Sequence, residues 1–140
     1  MKRSAHGFSF IEILLVVVIM GILGAIAIPA FLGQKKNAER VGDAQQNAKS
    51  LQMMLETRKA DFGLYGAAGS TTVWNASGTV TGTNLAPLFN PPGSTKMTYT
   101  PTVGATGLSY NLSINDPRPG KANELVYQTN ELGQQIYPVP

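Results

Sequence analysis

Residues 8–31, FSFIEILLVVVIMGILGAIAIPAF, decide how this chain is read. Between Phe8 and Pro29 the only charged residue is Glu12; nearly every other position is Ile, Leu, Val, Ala, Met, Phe or Gly. An apolar run of about 20 residues is long enough to cross a bilayer as a helix. A carboxylate inside such a run costs roughly 2.5–3.5 kcal/mol on insertion scales, so it is kept for a function and is expected to find a partner. A secretory signal peptide is excluded on two counts. Its apolar core is only about 7–15 residues and ends at a small-residue cleavage site. Here the run is longer and passes through Pro29 into a charged segment. A plain anchor has no use for Glu12.

Outward from that run the chain divides by pattern. Lys2 and Arg3 precede it, and the next basic residues are Lys35 and Lys36. From Val41 the apolar positions Val41, Ala44, Ala48, Leu51, Leu55 and Phe62 fall at helical spacing, with Lys35, Lys36, Arg40, Asp43, Gln46, Lys49, Arg58 and Lys59 opposite. That is one face of an amphipathic helix, and Gly63 supplies its stop. A helix from Phe8 to Phe62 would be roughly 80 Å long. Its weakest part is Gly21–Pro29. Proline costs a helix ~3 kcal/mol, and Gly21 and Gly24 each cost up to about 1 kcal/mol. Pro29 is read either as a passive kink or as part of a hinge with the two glycines.

Residues 63–95 are rich in Gly, Ala, Ser, Thr, Asn and Pro and read as a connection. Thr71–Trp74 and Thr79–Thr83 form at most a small hairpin within it, around Asn75-Ala76-Ser77-Gly78. Trp74 reads as a packing residue. Beyond Pro92 the period becomes two. Lys96–Val103 is a strand. Leu108, Tyr110, Leu112 and Ile114 alternate with polar residues as a second. Asp116–Gly120 is a loop, and Glu124–Thr129 and Gln134–Pro138 form a hairpin about Asn130-Glu131-Leu132-Gly133. The expected fold is α+β: a long N-terminal helix, membrane-spanning in its first half, packed against three or four antiparallel strands.

Composition excludes most chemistry. The chain has no cysteine among 140 residues, so structural disulfides, thiolate zinc sites and thiol nucleophiles are absent. His6 is the only histidine and lies ahead of the apolar run, which leaves no imidazole base in the rest of the chain. No phosphate loop or nucleophile elbow occurs. Asp116, Glu124 and Glu131 are the only acids after Asp61; they read as ordinary surface carboxylates rather than calcium ligands. No catalytic residue, metal site or cofactor is expected. The formal charge of +3 comes from 11 basic and 8 acidic residues; without Lys2 and Arg3 it is 9 against 8, or +1. So small an excess builds no nucleic-acid surface.

Gly7-Phe8-Ser9-Phe10-Ile11-Glu12, the aliphatic run and Ile28-Pro29-Ala30-Phe31 resemble the N-terminus of type IV pilins and type II secretion pseudopilins. The resemblance covers residues 1–62. It implies a leader at 1–7, a transmembrane and filament-core helix at 8–30, an amphipathic continuation at 31–62 and a globular region at 63–140. It implies cleavage between Gly7 and Phe8 by a prepilin peptidase, N-methylation of Phe8, a role in assembly for Glu12, and a hinge at Gly21, Gly24 and Pro29 that unwinds in the filament. The implied partners are further copies in a helical filament, the inner membrane, the peptidase, an assembly platform protein with its ATPase, and minor pilins or pseudopilins. The N-terminus would be cytoplasmic and the C-terminal region periplasmic, or extracellular in a fibre. Two departures keep pilus and secretion system both open: many pilins carry a C-terminal disulfide loop, and major pseudopilins an acidic, glycine-rich calcium loop. A membrane-anchored periplasmic binding module that does not polymerise is the alternative from another class.

Overall fold

The computed structural model describes residues 7–91, 97–118 and 124–137. Residues 1–6 of the expected leader, Lys96, the loop positions Pro119 and Gly120, and Pro138 lie outside the described residues. The chain divides into two compact units, Met1–Ala38 and Glu39–Pro140.

One helix, α1, runs from Phe10 to Phe62 and contains Pro29. It starts two residues later than the apolar run suggests. It ends where the glycine predicts: Gly63 has a φ of 77°, and its N–H donates to the Lys59 carbonyl at 2.7 Å. This is the left-handed cap that satisfies a terminal carbonyl and that residues with a Cβ adopt at a cost.

The second unit holds six strands: β1 (Thr72–Trp74), β2 (Val80–Gly82), β3 (Thr98–Val103), β4 (Tyr110–Asp116), β5 (Glu124–Asn130) and β6 (Gln135–Tyr137). They form one sheet in the order β2-β1-β3-β4-β5-β6, with every pair antiparallel. The expectation of three or four strands is too small. The hairpin at Asn75–Gly78 is not a detached excursion; it joins the sheet through Trp74 opposite Tyr99 and a bridge from Thr71 to Thr102. Its turn is held by Asn75, whose Oδ1 accepts the backbone N–H groups of Ser77 at 3.1 Å and Thr79 at 2.9 Å. Thr72 ties β1 to the following loop: its hydroxyl donates to the Thr83 carbonyl and accepts the Leu85 N–H at 3.1 Å. Three-residue strands carry too little alternation to be distinguished from loop by pattern, so the count fell short.

The sheet packs on the helix residues of its own unit. Ala44, Ala48, Leu51 and Leu55 are fully buried, as the helical spacing predicts, against Tyr99, Val103, Leu112 and Ile114. The small alanines let helix and sheet approach closely. Trp74, Phe89 and Tyr99 pack edge to face in series, with ring centroids 5.1 and 5.4 Å apart, so Trp74 is a core residue. Phe62 departs from the predicted face: it is exposed and lies under the Arg58 guanidinium. Asn47 is buried instead, because its Nδ2 donates to the Tyr99 hydroxyl at 2.8 Å and a satisfied amide can enter a core. Burial raises the Tyr99 phenol, with the Asn47 bond opposing the shift. Burial likewise pushes up Tyr65 and Tyr110.

The inward face of β4 also differs from expectation. Leu108 falls in the β3–β4 turn and is exposed, while the alternation continues past Ile114 to Asp116, which is buried. Asp116 is therefore neither a loop residue nor a surface carboxylate. Arg40 of the helix donates through Nη2 to its Oδ2. Arg118 donates its Nη2 at 3.0 Å to Oδ2 and its backbone N–H at 3.1 Å to Oδ1. A carboxylate can occupy that depth only with such partners.

Candidate functional site

The site predicted from sequence lies in the first unit, at the start of α1. Gly7, Phe8 and Ser9 have no regular secondary structure and are exposed. The Gly7–Phe8 peptide bond thus stands outside the helix, and no other described atom comes within 4 Å of where a Gly7 Cβ would be. Ser9 immediately precedes the helix. Its carbonyl accepts the N–H groups of Glu12 at 3.0 Å and Ile13 at 3.3 Å.

Glu12 consequently sits in the first turn of α1, where the unsatisfied N–H groups and the positive end of the helix dipole favour a carboxylate. Serine followed three residues later by glutamate is the spacing of a capping box. Ser9-x-x-Glu12 has that spacing, but the bonds seen here come from the Ser9 carbonyl, not its side chain. The structure also changes the relation of Phe8 to Glu12. A spacing of four places both on one helical face, but Phe8 stands two residues ahead of the helix. An amine on Phe8 would be carried on a short non-helical arm. The Glu12 side chain is exposed, and it makes no ion pair among the described residues.

The helix beyond Glu12 presents apolar side chains in every direction. The large hydrophobic residues from Phe8 to Leu32 are exposed, and this helix is long and apolar enough to cross a membrane. So much apolar surface marks contact with lipid or with other protein. The hinge candidates lie within it. Gly21 has open space around it, and Gly24 meets only the tip of Ile28 at 4.0 Å. No contact within the described chain demands glycine at either position. The helix continues through Gly21, Gly24 and Pro29. Among the described residues no three His, Cys, Asp or Glu gather as metal ligands do.

An exposed apolar helix with one carboxylate in its first turn, next to a non-helical Gly-Phe bond, fits a membrane-anchored subunit. The comparisons agree. Residues 2–28 match the family described as the prokaryotic N-terminal methylation motif. The chain is 32% identical over 65 residues to type II secretion system core protein G of Dickeya chrysanthemi, a match covering 46% of this chain and 42% of that protein. It is 36% identical over 60 residues to the protein of that name in Pectobacterium carotovorum subsp. carotovorum (43% and 38%) and 35% identical over 63 residues to that of Vibrio cholerae (45% and 42%). The chain spans less than half the length of these curated relatives. No solved structure matches it. By motif and by these matches the N-terminal part of the chain is similar to type IV pilins and type II secretion pseudopilins.

Proposed function

We propose that this chain is the structural subunit of a type IV pilus-like filament serving protein secretion. It is made as an inner-membrane precursor, cut between Gly7 and Phe8 by a prepilin peptidase and N-methylated on Phe8. Further copies, minor pseudopilins, an assembly platform protein and its ATPase complete the machinery. The observation that carries this reading is the exposed, otherwise uncharged helix surface with Glu12 in its first turn. Its large apolar area suits lipid before assembly and neighbouring helices after it. A lone carboxylate there calls for a cation, which cleavage after Gly7 would create. The similarity to core protein G favours secretion over a surface pilus. The C-terminal unit is periplasmic in this account.

Gly21, Gly24 and Pro29 act as a hinge: the helix they weaken is continuous in the single chain and loses helical structure in the filament. The test is to overproduce the chain in its own host, shear the cells and image what pellets. Fibres built of this chain, with the helix interrupted near Gly21–Pro29, are the expected result. Fibres with α1 unbroken through Pro29 contradict the hinge. A chain that remains entirely in the membrane fraction contradicts polymerisation and favours an anchored binding module.

A further inference from the structure

Two exposed features of the second unit have no task in that account. The first is a groove of about 440 Å3 between the last turns of α1 and the loop Leu85–Leu88. Leu85 and Ala86 are buried in its wall, while Phe62 and Leu88 are 72% and 86% exposed. Arg58 lines it, with the guanidinium 5.3 Å from the centroid of the Phe62 ring. Its Nε is buried and has no acceptor among the described residues. A buried charged donor without an acceptor is costly; Asp61 also lines the groove but does not accept from this Nε.

The second feature is the β5–β6 turn. Leu132 is 72% exposed at its tip, and Glu131 precedes it without an ion pair among the described residues. The turn is well fixed. Asn130 Oδ1 accepts the N–H groups of Leu132 at 3.2 Å and Gln134 at 2.9 Å, and the Gly133 N–H donates to the Asn130 carbonyl at 3.0 Å. A preformed turn loses little entropy on docking.

The two features flank opposite sides of the buried helix face. Gln52 Nε2 donates to the Asn130 carbonyl at 3.0 Å, which places the turn on the Gln52 side. At 100° per residue, Arg58, Met54 and Asp61 of the groove are roughly 120–180° around α1 from Gln52, and Phe62 about 80°.

We propose that the Leu132 turn of one copy seats in the groove of a second copy, with Leu132 against Phe62 and Leu88 and the Glu131 carboxylate accepting from Arg58. Apolar tip meets apolar groove, and the one acid beside the tip meets the one unsatisfied cationic donor beside the groove. Because the two patches are different surfaces, the contact is heterologous and repeats from copy to copy, which yields an open helical array where the rotation does not close. This inference rests on the filament reading and names the contact between its outer units.

The absence of cysteine makes the test clean. Leu88→Cys and Leu132→Cys are placed together in the full chain in its own host, and sheared fibres are treated with a short bis-maleimide. A ladder of dimers and larger species is expected from the double variant, and monomer from each single variant. Both leucines are exposed, so the fold tolerates the changes. Separately, Arg58→Glu and Glu131→Arg should each lower fibre yield about tenfold, and the two together should restore it. Fibres without a ladder overturn the contact and leave the filament reading standing, as does a ladder from one cysteine alone. If the cysteine pair itself stops fibre formation, the charge exchange decides: restoration supports the contact and its failure overturns it. If the unaltered chain makes no fibres, the filament reading fails and this contact with it.

Discussion

Glu12→Leu is expected to insert, to be cleaved after Gly7, and to yield at least about tenfold less fibre. The substitution makes the segment more apolar, so a purely hydrophobic account of assembly predicts the opposite sign. The expected loss follows from the cost of charge in hydrocarbon. A carboxylate at that depth costs roughly 2.5–3.5 kcal/mol, and an amine on Phe8 is similarly disfavoured. Bringing the two together offsets part of both costs. Recovering as little as about 1.4 kcal/mol changes an equilibrium tenfold. Since Phe8 precedes α1, its amine is not locked beside its own Glu12 and can reach that of a neighbouring copy. Such a pairing sets the axial position of each incoming subunit. Quantifying cleaved chain in membranes against chain in sheared fibres checks this. Normal fibre yield sinks the register role, and accumulation of uncleaved precursor shows that Glu12 serves the peptidase instead.

Asp116→Asn should cause the largest loss of stability in the second unit. The Asp116 side chain is 3% exposed and that of Arg40 12%. Removing one member of a buried ion pair costs about 3–5 kcal/mol, because the other charge is left without compensation. For a unit of this size about 3 kcal/mol lowers Tm by roughly 10–20 °C. Arg118 is 51% exposed, so Arg118→Ala should cost no more than about 1 kcal/mol. Thermal unfolding of the detergent-solubilised variants separates the two cases. If Asp116→Asn melts with the parent chain, the buried pair does not hold β4 to the helix.

The helix was legible because its signals are long and redundant. Phe8 to Phe31 is apolar, Ala44, Ala48, Leu51 and Leu55 share one face, and Gly63 stops it. The strands β3 to β6 were legible from alternation and from the turn residues between them. What failed were the short and the polar elements. The pairing of Trp74 with Tyr99 that recruits β1 and β2 is a tertiary contact between distant residues, and nothing local announces it. A charged residue such as Asp116 reads as exposed until its partner is known, and Arg40 is 76 residues away. The inward phase of Tyr110, Leu112 and Ile114 nevertheless pointed at it. At the proposed processing site, Gly7, Phe8 and Glu12 stand out in sequence because the proposed chemistry depends on residue type.

The most direct test of the account is mass spectrometry of the chain recovered from sheared fibres. A mature species beginning at N-methyl-Phe8 is the predicted result, and Gly7→Val should leave only uncut precursor in the membrane. A fibre subunit that retains residues 1–7, or that begins at any residue other than Phe8, would contradict it.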